Sequence, residues 1–308
     1  MRPLLMLLPK RVKKMTDDIT FVTQAHEGES HTVRCAAEQL ESVYPDATFY
    51  VYDGGLNEAS RRKLRSQSNV EVIDWQSEAT YGGVQNILAN LEQKFNDSTY
   101  ARHLVCDLLG YDLKYFTQRR DFFVRQKPRV IRDVSPRVTG KLVWIDADVI
   151  PINTIDEVFE RDFDVAITAR SKLEETHSAY GAVNSGVLFF NTNSETIRRF
   201  VDAWTAQIES MPLAPNREQE AVMELFREAG ESFEQYFHTI DLELGPGKIT
   251  GVVLPCLAYN HYNFEAGVNP AENKILHFKA GKSEANREVI EDIRKGKLSK
   301  WTRYLSED

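Results

Sequence analysis

Short apolar runs alternate along the chain with longer segments whose apolar residues recur at helical spacing. The runs are rich in β-branched and aromatic residues, and this composition predicts buried strands. The predicted strands are Asp18–Val22, Thr48–Tyr52, Asn69–Trp75, Lys141–Ile145, Asp164–Thr168, Gly186–Phe190, Ile249–Leu254 and Lys274–Phe278. Strands that alternate with helices predict an α/β fold with an open, mostly parallel central sheet and helices on both faces.

The segments between these runs predict the helices. They are Thr32–Val43, Asn57–Arg65, Gly83–Phe95, Glu195–Ile208 and Glu218–Glu228, followed by a polar helix from Glu284 to near Trp301. Between Tyr100 and Val134 the pattern predicts helix in pieces. We expect a break near Pro128 because proline lacks the amide hydrogen that a helix needs.

The chain of 308 residues is long enough for one large domain with a sizeable core. It contains no internal repeat and no low-complexity linker. The predicted organisation is an N-terminal tail over 1–17, one domain over 18–283 and a C-terminal helical tail over 284–308.

Charge and cysteine usage narrow the class of protein. The net charge of -8 disfavours a nucleic-acid partner, because nothing resembles a basic groove that could neutralise phosphates. Cys35, Cys106 and Cys256 lie far apart and form no CxxC pair. We therefore expect neither a disulfide framework nor a zinc site, and a reducing cytoplasm fits best.

The first residues, MRPLLMLLPKRVKKM, combine an apolar stretch with basic residues after it. The stretch is too short to span a bilayer, and its main charge lies on the wrong side for a signal peptide. One interpretation is a frayed tail. The other is a weak peripheral contact with an anionic membrane surface. The sequence carries no signal for an oligomeric state.

The strongest chemical signal is the segment VWIDADVIP. Side chains alternate along a strand, so Asp146 and Asp148 point the same way at the strand end, with Ala147 turned away between them. Two carboxylates so close repel each other and are tolerated beside a cation. Oxygen ligands in an open site suit magnesium or manganese, with substrate phosphates completing the shell.

Three interpretations of this pair compete. The pair can belong to a solvated loop at a strand end, because aspartate is common in turns. It can belong to a haloacid-dehalogenase-like phosphatase, in which the first aspartate is the nucleophile. We favour the third, a metal site in a nucleotide-sugar transferase, because the motif lies in the middle of the chain and continues with Val149, Ile150 and Pro151.

Four segments in order carry a resemblance to a known family. They are WIDADVIPINTIDEVF, AVNSGVLFFN, REQEAV and KILHFKAGK. The first resembles the DxD segment of GT-A glycosyltransferases, and the others resemble later segments of glycosyltransferase family 8 and its relatives. The resemblance covers most of the chain from Asp18 to Lys282 and implies a single GT-A (Rossmann-like) domain.

The resemblance also implies further ligands. His277 matches the histidine that joins the two aspartates on the metal, and an imidazole ligand shifts the preference from magnesium towards manganese. Lys282 and the preceding Gly281 match diphosphate contacts of the family, although Gly281 lies one residue later than the usual spacing. Lys279 is an alternative basic group on this segment.

The nucleotide is expected over the first strands. Asp53 ends the second strand, and a carboxylate there can accept the N3–H of uracil. A plain Asp-Gly turn is an equal alternative on local sequence, and the resemblance favours the nucleotide contact. Gln24 and His26, after the first strand, are further candidates for the same pocket.

Polar residues later in the chain are expected to contact the donor sugar. Asn184 and Ser185 precede an apolar strand, and Glu218 and Gln219 begin a helix, where an acidic residue also stabilises the helix dipole. Lys127 resembles a basic residue of the family that contacts donor phosphate or sugar. Arg125 and Arg129 are its rivals, and an exposed helix face would explain all three.

The expected activity is transfer of a hexose from a nucleotide-diphosphate sugar, UDP-sugar above others, to a hydroxyl of a glycan, a lipid-linked saccharide or another acceptor. Inversion would require Glu218 or Glu220 as a base, and retention would need no protein base. The loop from Ser171 to Gly181 can close over the donor or remain an ordinary surface loop.

Two alternatives from other classes share the expected fold or ligand. A sugar-phosphate nucleotidyltransferase usually has a basic, glycine-rich first loop, and TQAHEGESH contains one glycine and no lysine or arginine. The other alternative is a non-catalytic protein that binds a nucleotide-sugar or a glycan.

Overall fold

The computed structural model describes eight stretches of the chain, with side chains of the helix that begins at residue 119 described from residue 126 onward. The stretches are 19–75, 119–171, 181–191, 193–211, 217–262, 268–269, 271–278 and 290–292. Several predictions lie outside them: the N-terminal tail, helix Gly83–Phe95, the Ser171–Gly181 loop between its ends, Lys279, Gly281, Lys282, and the C-terminal helix apart from residues 290–292.

The described strands form one large sheet and one small sheet. They are β1 (Ile19–Ala25), β2 (Thr48–Asp53), β3 (Val70–Ile73), β4 (Lys141–Ile145), β5 (Val149–Pro151), β6 (Val165–Ala169), β7 (Val183–Phe190), β8 (Thr239–Glu243), β9 (Lys248–Pro255) and β10 (Ile275–His277). The large sheet has the order β3-β2-β1-β4-β7-β6-β9-β8, and β5 pairs with β10 in the small sheet.

Most strands of the large sheet run in the same direction. β1 is parallel to β2 and β4, β2 to β3, and β6 to β9, whereas β7 and β8 are antiparallel to their neighbours. This arrangement confirms the predicted mostly parallel sheet. Because β7 runs backwards beside β4, its first residues lie at the carboxyl edge of the sheet, where ligands of such folds bind.

Helices cover both faces of the sheet, as predicted. They are α1 (Ser30–Val43), α2 (Glu58–Arg65), α3 (Arg119–Val134), α4 (Asp156–Phe159), α5 (Ser194–Ser210), α6 (Arg217–Glu228) and α7 (Cys256–Tyr259). One apolar cluster joins α1, α2 and α4 to the sheet, and a second joins α3, α5 and α6 to it. No helix in the described part of the chain is both long and apolar enough to cross a membrane.

The predicted break near Pro128 is wrong, because α3 continues through this residue from Arg119 to Val134. A proline inside a helix costs about 3 kcal/mol. The apolar face of α3 opposes that cost, since Val130, Ile131 and Val134 are buried completely in the second apolar cluster. Tertiary packing therefore outweighs the local preference.

The last predicted strand forms, but as the shorter β10, and it lies outside the large sheet. β10 pairs antiparallel with β5, so that His277 lies opposite Val149. The backbone N–H of Phe278 donates to the carbonyl of Asp148 over 2.7 Å. The small sheet therefore holds the segment around His277 against the segment that follows β4.

Candidate metal and donor site

A tight turn between β4 and β5 carries the two aspartates. The N–H of Val149 donates to the carbonyl of Asp146 over 3.0 Å, which closes the turn. The N–H of Asp146 donates to the carbonyl of Gly186 on β7 over 2.8 Å. Both ends of the turn are thus tied to strands, and the direction of the carboxylates is fixed by the backbone.

Three predicted metal ligands converge at this turn. One ligand atom from each of Asp146, Asp148 and His277 lies within 4.8 Å of the others. Nε2 of His277 is 3.2 Å from Oδ1 of Asp148. His277 is buried and the two aspartates are partly exposed, so the cluster opens to one side. Two carboxylates with one imidazole fit a divalent cation such as Mn²⁺ or Mg²⁺ that keeps open positions for substrate.

Gly186 makes room for the imidazole. A Cβ atom at this position would lie 2.5 Å from Cε1 and 2.7 Å from Nδ1 of His277. Such distances are shorter than any normal carbon contact, and both atoms belong to a ring held in the interior. The absence of a side chain at Gly186 is therefore a condition for the observed position of His277.

Lys127 lies beside the cluster and is 1% exposed, an unusual position for lysine. Its ammonium group donates to Oδ1 of Asp146 over 2.9 Å, to the carbonyl of Ser185 over 2.9 Å and to the hydroxyl of Ser185 over 3.2 Å. The rival Arg129 is exposed on the other side of α3, and the side chain of Arg125 lies outside the described residues. Of the two described basic residues, the structure brings Lys127 to the site.

The predicted sugar contacts form a wall next to the metal ligands. Ser185 donates its N–H to Oε1 of Gln219 over 3.4 Å and its hydroxyl to Oε1 of Glu218 over 3.5 Å. Asn184 is 2% exposed and accepts the N–H of Gly186 over 3.2 Å. Its Nδ2 is buried and has no hydrogen-bond partner among the described residues. The wall therefore contains a buried N–H group without an acceptor among these residues.

Glu218 is a buried carboxyl group in this wall. Burial raises its pKa above the usual value, and the nearby Lys127 ammonium opposes the shift. The indole N–H of Trp204 donates to the carbonyl of Glu218 over 2.7 Å and anchors the first turn of α6. The charge of the wall therefore changes with pH, because it includes the carboxyl group of Glu218.

Glu218→Gln is expected to stabilise the protein at neutral pH and not at acid pH. A carboxyl group whose pKa is raised by folding contributes stability below its unfolded pKa, and this contribution is lost as the pH rises through the folded pKa. An amide is uncharged throughout. We expect an increase in the midpoint of thermal unfolding of about 2 to 4 °C, which corresponds to about 1 kcal/mol in a domain of this size.

The measurement is thermal unfolding of wild type and variant at several pH values. Glu220→Gln is the matched control, because Glu220 is the next acidic residue on α6 and is only partly buried. The control should show no pH-dependent gain. An equal gain in both variants, or a gain that persists at acid pH, would contradict the role of burial at Glu218.

At the nucleotide end, the loops that follow β1 and β2 are bound together. The N–H of Gly54 donates to the carbonyl of Ala25 over 2.8 Å. Asp53 is buried, and its Oδ1 accepts the N–H groups of Gly55 and Leu56 over 2.9 and 2.7 Å. Its Oδ2 accepts from Nε of Arg61. The structure thus shows the turn-forming role of Asp53, and the contact with a base stays a prediction.

Gln24 and His26 are predicted after the first strand, but β1 extends to Ala25, so only His26 follows it. Gln24 is buried near the end of β1, opposite Tyr52 on β2. Nδ1 of His26 accepts the N–H of Gly28 over 3.1 Å, and its Nε2 is 3.5 Å from a carboxylate oxygen of Glu29. His26 therefore caps the short 3-10 turn after β1. Gln24 and His26 therefore lie near Asp53, and neither belongs to the cluster of Asp146, Asp148 and His277.

Sequence reasoning missed several residues that hold the site together. Trp144 donates its indole N–H to Oδ1 of Asp146 over 2.8 Å, and alternation along β4 could have found it, because the two residues share a face. Arg61, the partner of Asp53, lies eight residues away on α2. Asn260, which contacts His277, carries no local signal at all.

Comparisons with known proteins give matches at the level of structure. No protein-family model matches the sequence, and a search of curated proteins gives no match. The apo-form glycosyltransferase GlyE of Streptococcus pneumoniae TIGR4 superposes with a TM-score of 0.50 at 13% identity, over 93% of this chain and 63% of GlyE. This chain thus spans less than two thirds of the length of GlyE.

Two further solved structures resemble this chain less closely in shape. The galactosyltransferase LgtC, solved with donor and acceptor sugar analogues, has a TM-score of 0.46 and 14% identity over 94% of this chain and 97% of LgtC. The bifunctional glycosyltransferase WbbM has a TM-score of 0.49 and 10% identity over 95% of this chain and 53% of WbbM. With the sheet order and the likeness to GlyE, the chain has the GT-A fold of glycosyltransferases.

Proposed function

We propose that this protein is a metal-dependent glycosyltransferase that moves a hexose from a nucleotide-diphosphate sugar, UDP-sugar above others, to a hydroxyl acceptor. The observation that carries the proposal is the convergence of Asp146, Asp148 and His277 at the carboxyl edge of a GT-A sheet. This fold favours transfer over the phosphatase alternative, in which Asp146 would be a nucleophile. The acceptor class is a glycan, a lipid-linked saccharide or another hydroxyl compound.

The two carboxylates and the imidazole of the cluster fit Mn²⁺ or Mg²⁺. A bound ion would supply the positive charge that a diphosphate leaving group needs. Lys127 adds a second, buried positive charge beside Asp146. Because its ammonium group is held by Asp146 and Ser185, it has a fixed direction. Its three N–H groups already have protein acceptors, so this geometry supports Lys127 as a fixed positive charge beside the donor, and its contact with a donor phosphate or sugar is part of the proposal. Lys282 is proposed as a further diphosphate contact.

The wall formed by Asn184, Ser185, Glu218 and Gln219 offers polar groups to a sugar. The unpartnered Nδ2 of Asn184 supports a hydrogen bond to a sugar oxygen, because a buried donor left unsatisfied costs about 1–3 kcal/mol. The backbone N–H of Ser185 donates to Oε1 of Gln219 over 3.4 Å, which fixes the orientation of that amide. Ala147, between the two aspartates, is proposed as a further contact with the donor.

In the proposed reaction, the bond between the anomeric carbon and the diphosphate oxygen breaks, and a bond to the acceptor oxygen forms. The acceptor proton leaves with the nucleoside diphosphate or with a protein base. Inversion would assign this base to Glu218 or Glu220, and the raised pKa of Glu218 supports the first of these. Retention would leave the proton to the diphosphate.

The nucleotide is proposed to lie over the loops that follow β1 and β2. Asp53, Gln24 and His26 are the proposed contacts, and the hydrogen bond between Gly54 and Ala25 supports a shared, preformed surface. The widely spaced cysteines of the sequence support a cytoplasmic setting for this activity.

The proposal is tested by thermal unfolding with a panel of nucleoside diphosphates, with Mn²⁺ and with a chelator. UDP with Mn²⁺ is expected to stabilise the wild-type protein, by about 2.7 kcal/mol at a ligand concentration one hundred times Kd. The stabilisation should vanish in chelator. If no nucleotide shifts the midpoint with any divalent metal, the proposed function is wrong.

A further inference from the structure

The imidazole of His277 makes a second contact, on the side away from the aspartates. Its Nδ1 lies 2.7 Å from Oδ1 of Asn260, a residue on the short segment that follows α7. Asn260 has no exposed surface and His277 is 4% exposed, so water does not compete for this contact. The contact joins two residues that are 17 positions apart, and no sequence motif predicts it.

The amide of Asn260 has only one satisfactory orientation. Its Nδ2 lies 2.8 Å from Oγ1 of Thr168 and 3.1 Å from the carbonyl oxygen of Asn184. The hydroxyl of Thr168 uses its single hydrogen to donate to that same carbonyl over 2.7 Å. A rotated amide would place Oδ1 against a carbonyl oxygen that can only accept, and this arrangement is repulsive. Oδ1 therefore faces His277.

This orientation determines which nitrogen of His277 carries the hydrogen. Oδ1 of an amide can only accept, so Nδ1 must be the donor across the 2.7 Å contact. A neutral imidazole has one N–H, and Nε2 is then left with its lone pair. Nε2 lies 3.2 Å from Oδ1 of Asp148 at the proposed metal site, and because a carboxylate oxygen also only accepts, these two acceptors suit a cation that both of them bind.

We propose that Asn260 is a positioning residue that holds His277 in the Nδ1–H tautomer, with Thr168 and the carbonyl of Asn184 fixing the amide. This inference rests on the proposed function, because it concerns the metal ligand that His277 provides. Outer hydrogen bonds of this kind orient the ring and raise the basicity of the ligating nitrogen, and their loss typically lowers metal affinity about 10- to 100-fold.

The first test measures the tautomer in the metal-free protein by 15N NMR of labelled histidines at alkaline pH, with His277→Gln used to assign the signal. The wild-type ring is expected to show a protonated Nδ1 and an unprotonated Nε2. In Asn260→Leu the preference should be lost. In Asn260→Asp it should persist, because a carboxylate oxygen still accepts from Nδ1.

The second test measures Mn²⁺ affinity by isothermal calorimetry. Asn260→Leu is expected to bind Mn²⁺ about 10- to 100-fold more weakly than wild type, and Asn260→Asp should be affected less. The matched control is Asn69→Leu, because Asn69 is also buried and donates through Nδ2 to the carbonyl of Ala37, far from the cluster. The control should lose stability and keep its Mn²⁺ affinity.

The inference is overturned if the wild-type ring carries its hydrogen on Nε2, or if folded Asn260→Leu keeps wild-type affinity. The wild-type spectrum decides the first point even if Asn260→Leu fails to fold. Absence of Mn²⁺ binding by the wild type would contradict the proposed function instead. The two failures are distinguishable, because the tautomer is measured without metal.

Discussion

Replacing Asp148 with asparagine is expected to abolish the stabilisation by UDP and Mn²⁺ and to lower transfer activity by about 10²- to 10³-fold. Asp148 provides one of the two carboxylates of the cluster and lies next to Nε2 of His277. An amide has nearly the same shape but no charge, so the site would lose attraction for a cation. Thermal unfolding with and without Mn²⁺ and UDP, together with donor-dependent transfer, measures both effects.

The folded state itself should tolerate this change. One carboxylate fewer removes repulsion from Asp146, so the unfolding midpoint in chelator should equal or exceed that of wild type. Asp164→Asn is the matched control. Asp164 precedes β6 at the opposite edge of the sheet, where its Oδ2 accepts the N–H of Thr250 over 2.8 Å. A variant of Asp148 that still responds to Mn²⁺ with UDP would remove this residue from the site.

Gly186→Ala is expected to displace the imidazole of His277 and to weaken Mn²⁺ binding about 10- to 100-fold. The added methyl group would lie 2.5 Å from Cε1 of His277, and neither β7 nor the buried ring can move without breaking other contacts. Overpacking of this kind also destabilises a fold by about 1–3 kcal/mol. Calorimetry with Mn²⁺ and chemical unfolding separate the two consequences.

Gly251→Ala is the matched control, because it adds a methyl group against a buried ring at a position away from the metal cluster. A Cβ at Gly251 on β9 would lie 2.8 Å from Cε1 of Phe226, a ring in the second apolar cluster. We expect a similar loss of stability with unchanged Mn²⁺ affinity. Equal losses of affinity in both variants would show that Gly186 acts through general stability, contrary to the role assigned to it here.

The regular parts of the fold could be predicted because their signals are local. β1, β2 and β4 are short apolar runs, and α1 and α5 have apolar residues at helical spacing. β8 was missed although it carries a signal. Ile240 and Leu242 are buried between exposed neighbours, which is the alternation of a strand with one covered face. The three-residue β5 is too short for any periodic pattern.

The candidate site was predictable to a smaller extent. The position of Asp146 and Asp148 directly after β4 follows from the apolar run before them, although a turn and not a strand carries them. Nothing in the periodicity joins them to His277. That link came from a resemblance, and the structure explains it by the pairing of β5 with β10. Asn260 could not be found, because a hydrogen bond between distant segments depends on the fold as a whole.

Side chains can also serve two roles that sequence does not separate. Asp53 is predicted to contact a base, and its carboxylate also binds two backbone N–H groups and Arg61. A turn and a ligand contact place the same residue type at a strand end. The turn-forming role of Asp53 depends in part on Arg61 of α2, and the side chain of Arg61 is positioned only once that helix has packed.

The pairing of β5 with β10 makes the proposed cluster depend on a segment that is synthesised late. During translation the amino-terminal part of a chain folds first, so β4 and the two aspartates can be in place while the segment around His277 is still in the ribosome. Such a chain has two of the three ligands and no closed cluster. The proposed cation site is therefore complete only once β10 has docked against β5.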